Sequence, residues 1–198
     1  MKITETRQAI SPNPIGFANL QKRRYVSGMP NPYLTLVESW KDLPPIVSWS
    51  EPDPTDGEMT IFAPLEIGNV TVGSFALRAA CYVDRLESDV RFQLETGLPG
   101  QRTRLPLTRI DWRPISGGHK QPKKPDGGKR LIIKGSHFHT LEDNWLEREQ
   151  RMRENNLPYA QALESDPANF QELLDLVKIR FRINNITSIG TPKWAAKL

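Results

Sequence analysis

Hydrophobic and polar positions alternate most cleanly at "DVRFQLE" (89–95), where Val90, Phe92 and Leu94 fall on one side of an extended chain and Asp89, Arg91, Gln93 and Glu95 on the other. A period of two marks a half-buried strand. "MTIFA" and "GSFALRAACYV" upstream are apolar or alternating runs of the same kind, and "TGLPGQ" downstream supplies a turn. "TRLPLTRIDWR" predicts another strand, with Leu105, Leu107, Arg109, Asp111 and Arg113 on one face. Two leucines followed by three charges describe a strand that begins in the core and ends at a charged rim. "KRLIIKGSHFH" is expected to be the next strand.

Helical spacing enters only in the last third. Thr140 is placed to cap a helix over "LEDNWLEREQRMREN", with Glu142 and Asp143 in its first turn. "LPYAQALES" is a second short helix or a turn. Asp166 followed by Pro167 is a start signal for a third helix, in which Phe170, Leu173, Leu174, Val177 and Phe181 form a stripe that should pack on the sheet. The tail "NNITSIGTPKWAAKL" is read as a last strand and a loose end. At the other end, residues 1–32 are broken by proline and glycine into an irregular arm, followed by a short strand near Tyr33 to Glu38. A proline-rich connection comes next, which Trp40 and Trp49 would anchor to the surface. Strands first and helices afterwards predict a single α+β domain over residues 1–198, with a mainly antiparallel sheet and C-terminal helices packed on it.

Composition adds little to that picture until charge is located. The chain of 198 residues carries a net charge of +4. Between Arg102 and Lys134, however, ten basic residues face only Asp111 and Asp126. The glycine-, proline- and lysine-rich loop "ISGGHKQPKKPDGGKR" is too basic to bury. Such a concentration suits a polyanion such as RNA, with Arg113, Lys120, Lys123, Lys124, Lys129, Arg130 and Lys134 as the contacting residues. One cysteine, Cys81, cannot form an internal disulfide and is expected in the core. With no apolar run long enough to span a membrane and no secretory leader, the expectation is a cytoplasmic protein without membrane contact.

Two of the three histidines, His137 and His139, flank Phe138 just before the predicted cap. In a strand they project to the same side, and His119 lies beyond a glycine pair that could fold it back to them. Three kinds of chemistry fit this set. In the first, His137 and His139 share acid and base roles, His119 assists, Arg109 contacts phosphate and Asp111 orients a histidine, as in metal-free RNA cleavage. In the second, His119, His137 and His139 hold zinc with a fourth position left for water. In the third, the imidazoles only hydrogen-bond around the turn. Asp111, between Arg109 and Arg113, is either an ion-pair member or an orienting carboxylate.

The order "RIDW" (109–112), then His119, then His-x-His before a helix resembles the core motif of the TumE-type toxins and related small proteins of bacterial toxin-antitoxin loci. The likeness covers residues 109–143, with Ile110 where the family has an aromatic and Trp112 where it has asparagine. It implies a toxin-like or defence-associated role with RNA as target, and a cognate antitoxin or defence-complex protein as partner. The expected function is therefore an endoribonuclease without an obligatory cofactor. The alternatives are a phage- or mobile-element-encoded inhibitor that binds through its basic surface, and a zinc-dependent hydrolase.

Overall fold

The computed structural model describes residues 31–123 and 129–195. Its centre is a six-stranded sheet in the order β1-β2-β3-β4-β7-β10, all of whose neighbours run antiparallel. The strands are β1 (Glu58–Ile67), β2 (Val70–Tyr82), β3 (Val90–Gly97), β4 (Arg104–Trp112), β7 (His137–His139) and β10 (Gln161–Ala162). β5 (His119–Lys120) and β6 (Ile132–Ile133) form a separate hairpin. The α+β class is as the residue pattern predicts.

Local chemistry explains the main strands. Gly68 and Asn69, with φ of 58° and 63°, join β1 to β2 in the left-handed conformation that a tight hairpin requires. Met59, Ile61, Ala63 and Leu65 alternate into the core from β1, as Val90, Phe92 and Leu94 do from β3. Helix α3 (Phe170–Phe181) covers that inner face with Phe170, Leu173, Leu174, Val177 and Phe181, the predicted stripe. It starts later than Asp166–Pro167 suggests. Asn169 is the cap, its side chain accepting from the Glu172 amide at 2.9 Å, while the Glu172 carboxylate accepts from the amide of Ala168, one residue before the cap. Asp166 is taken by Arg113 instead.

Several other expectations are corrected. Residues 34–38 form a helical turn, α1 (Leu34–Glu38), and not a strand. The helix capped by Thr140 is the single turn α2 (Leu141–Asn144), and the chain then reverses through β8 (Trp145–Leu146) and β9 (Arg151–Met152). After Leu146 the next five residues are all charged or amide-bearing, so a longer helix would have had no apolar face to bury. "LPYAQALES" is irregular apart from β10, and the tail carries a 3-10 turn (Ile186–Ile189) where a strand was expected. Gly135, at φ 72°, divides "KRLIIKGSHFH" into β6 and β7. The expected N-terminal arm lies outside the described residues except for residues 31–32. Among the described residues no helix is long and apolar enough to cross a membrane.

The correction that matters for function is in β4. The pairing steps from Leu94↔Thr108 to Glu95↔Pro106, so β4 carries one extra residue at a bulge. An inserted residue reverses the alternation. Leu105 and Leu107 face the core before the bulge, whereas Ile110 and Trp112 do so after it, and Arg109 and Asp111 are turned onto the opposite, outer face.

Candidate functional site

β7 pairs with the end of β4 that follows the bulge, in the register Arg109↔His139, Ile110↔Phe138 and Asp111↔His137. The histidines thus share the outer face with Arg109 and Asp111, while Phe138 points inward to Phe181, ring centroids 6.4 Å apart. His119 comes from the β5–β6 hairpin and closes over them. Centroid separations are 4.7 Å for His119–His139, 5.2 Å for His119–His137 and 5.1 Å for His137–His139. One ligand atom from each ring falls within 4.8 Å of the others, a grouping compatible with a bound metal ion.

Each imidazole is held by a main-chain carbonyl. His137 Nδ1 is 2.8 Å from Gly135 O, His139 Nδ1 is 3.0 Å from Tyr159 O, and His119 Nε2 is 2.8 Å from Pro158 O. A carbonyl only accepts, so each of these ring nitrogens carries the proton, and the other nitrogen of a neutral ring is a lone pair. The lone-pair nitrogens are therefore Nε2 of His137, Nε2 of His139 and Nδ1 of His119. Burial pushes His119 and His139 below the ordinary imidazole value, and the Arg109 charge adds to this in both, against the pull of Asp111. These two rings are neutral at neutral pH.

Asp111 Oδ2 stands 3.3 Å from His137 Nε2 and 3.1 Å from His139 Nε2. It meets the lone-pair nitrogens, so ring orientation falls to the carbonyls rather than to this carboxylate. Arg109 Nε donates to the same oxygen at 2.7 Å and its Nη2 to His139 Nε2 at 2.9 Å, while Arg91 Nε donates to Oδ1 at 2.9 Å. Burial alone would raise Asp111. The Arg109 and Arg91 guanidiniums oppose it and hold the carboxyl below the usual carboxylate range, a pull that a proton on Nε2 of His137 or His139 would strengthen. A small pocket of about 50 Å³ lies beside Arg91 and Asp111, lined also by Glu58, Tyr82 and Asp89 and by none of the histidines.

The sequence pattern thus brings His119, His137, His139, Asp111 and Arg109 together. It does not bring Arg113 to them. Arg113 donates to Asp166 at 3.0 Å and to the carbonyls of Pro167 and Ala168, clamping the approach to α3. Lys120, Lys123, Lys129, Arg130 and Lys134 are exposed on and around the β5–β6 hairpin, and Lys124 lies outside the described residues. Two contributors escaped the sequence pattern. Arg91 is marked only as an outward residue of a strand. Asn144, inside the predicted helix, donates through Nδ2 to Tyr159 O at 2.9 Å and accepts at Oδ1 from Tyr159 N at 2.8 Å. It thereby fixes the carbonyl that holds His139.

No protein-family model, curated protein or solved structure matches this chain.

Proposed function

We propose that His119, His137 and His139 hold a divalent ion of the zinc class and that the chain is a metal-dependent hydrolase of RNA phosphodiesters. The observation that carries this reading is the shared pattern of the three rings: each donates one N–H to a backbone carbonyl, while ligand atoms of all three gather within 4.8 Å. Outer carbonyls that fix the tautomer are the usual support of metal-bound imidazoles. Asp111 Oδ2 also lies 3.3 Å from His137 Nε2 and 3.1 Å from His139 Nε2, close to the roughly 3.3 Å edge of a tetrahedral site with ligands about 2.0–2.1 Å from the metal. Arg109 donates to Asp111 Oδ2 and to His139 Nε2, so an ion bound at His139 would take the place of that guanidinium contact. A bound ion would supply a water of lowered pKa.

Metal-free acid–base cleavage is the weaker alternative for a geometric reason. Both imidazoles would have to meet one substrate, yet His137 is 3% and His139 0% exposed, and both are in contact with protein atoms. As ligands they can be buried. The exposed lysines and Arg130 around the neighbouring hairpin supply the positive field that a polyanion needs. RNA cleavage would suit a toxin or defence module, and an antitoxin or defence-complex protein would then be its partner.

The test is metal analysis of wild type and of the His137→Ala/His139→Ala double variant after equilibration with zinc, followed by incubation with mixed RNA in the presence and absence of chelator. About one ion per wild-type chain, none in the variant, and chelator-sensitive cutting by wild type alone are expected. Cutting that survives chelation would restore the acid–base pair. RNA binding by both proteins with no cutting by either would make the chain a non-enzymatic binder.

A further inference from the structure

The outer face of the sheet carries a continuous row of side chains that ends at the histidines. Phe62 on β1 pairs with Arg78 on β2, Arg78 with Gln93 on β3, Gln93 with Arg109 on β4, and Arg109 with His139 on β7. Residues in register on neighbouring strands lie side by side on one face, so the row crosses five strands and measures about 19 Å. Its far end is aromatic and open: Phe62 is 53% exposed. The Arg78 and Arg104 guanidiniums stack on its ring at 5.4 Å and 4.8 Å.

Those two arginines are held in place by one buried carboxylate. Arg78 binds Glu95 through Nε at 3.1 Å and Nη2 at 3.0 Å, and Arg104 Nε lies 2.6 Å from the same group. Further along, Arg91 and Arg109 share Asp111. Four arginines thus stand on two carboxylates, and the surplus charge is fixed rather than carried on mobile chains. An exposed ring beside guanidinium planes offers what an unpaired base needs for stacking, and fixed guanidiniums offer what phosphates need.

We infer that this row is the docking track of a single-stranded polynucleotide, with Phe62 stacking a base at one end and Arg109, beside the histidine trio, meeting the backbone at the other. The inference rests on the reading above only in taking a polynucleotide as substrate. At about 3.4 Å per stacked nucleotide the track accommodates roughly five. A duplex, whose bases are already stacked on one another, has none to offer Phe62.

The experiment is fluorescence anisotropy with a 5′-fluorescein-labelled mixed-sequence RNA dodecamer in excess chelator, so that binding is read without cutting. Phe62→Ala should weaken binding about tenfold with an unchanged melting temperature, and Phe62→Trp should restore it. Trimers should bind at least about tenfold more weakly than hexamers, and Arg78→Gln should reduce the salt slope by about 0.7, one phosphate's share. Unaltered affinity in Phe62→Ala would overturn the inference. So would no binding at all, equal affinity for a duplex of the same length, or sedimentation of wild type as a dimer that Phe62→Ala dissociates, which would make the face a contact between copies. The intended binding pattern without metal-dependent cutting would sink the hydrolase and leave the track standing.

Discussion

Asp111 on β4 and His139 on β7 are diagonal neighbours, two residues apart in register, yet Asp111 Oδ2 stands 3.1 Å from His139 Nε2. The reach is possible because the β4 bulge has turned Asp111 and Arg109 onto the outer face. A carboxylate, two guanidiniums and three imidazoles meet there, each imidazole held through one nitrogen by a main-chain carbonyl.

A bound ion should therefore stabilise the fold. With zinc free at a hundred times its dissociation constant the gain is about 2.7 kcal/mol, which for a chain of this size raises the melting temperature by roughly 5–10 °C. Calorimetry of wild type, His119→Ala and His137→Ala with and without zinc checks it. The shift should vanish in His137→Ala and fall in His119→Ala. An equal shift in all three would place the ion elsewhere.

Asn144→Ala tests the support of His139 without touching a ligand. Asn144 is fully buried and its amide pairs with both the N–H and the carbonyl of Tyr159. Truncation orphans the Tyr159 N–H and leaves its carbonyl only the His139 donor, at a cost of about 2 kcal/mol read by urea denaturation. If Tyr159 O holds the His139 tautomer, zinc affinity should fall at least about tenfold as well. Lost stability with unchanged affinity would limit Asn144 to a structural part.

The sequence pattern made the sheet, the α3 stripe and the inward Phe138 legible because each depends on nearest-neighbour periodicity and burial. It also picked out five residues that the structure brings together, since histidines two apart on a strand must share a side. What it hid was non-local. A bulge leaves no mark in "TRLPLTRIDWR", so Leu105 and Asp111 were expected on one face that the inserted residue divides. The early end of α2 depends on where Met152 and Leu157 find the core, and the part played by Asn144 depends on Tyr159 fifteen residues away.

Gly118 sets the return of His119. At φ 115° it adopts a conformation closed to other residues, and a Cβ there would stand 2.8 Å from Ile133 O and 2.9 Å from Ile132 Cγ2. The obstacle is partly backbone, so the β5–β6 hairpin would have to shift. Gly118→Ala should lower zinc affinity about as much as His119→Ala does, while the core melts within a few degrees of wild type. Titration of a zinc-competing dye measures the first and circular dichroism the second. Undiminished affinity would mean that His119 is not a ligand.

Lys41 gives the fold a pH dependence that is independent of the histidines. It is fully buried, its Nζ donating to Phe181 O at 2.6 Å at the end of α3 and to Val37 O at 3.1 Å near the end of α1. Burial, with the Arg182 charge beside it, lowers its pKa from 10.5 to about 7. Between pH 7 and about 10.5 the unfolded chain binds a proton at this position that the folded chain does not. Stability at this position therefore increases as pH rises through that window, and the full penalty of a buried charge applies below pH 7. Lys41→Met removes the penalty but orphans two carbonyls. Urea midpoints from pH 6 to 10 should show wild type gaining on the variant by a few kcal/mol as pH rises. Parallel curves would show that the helix-end carbonyls keep Lys41 charged in the folded protein.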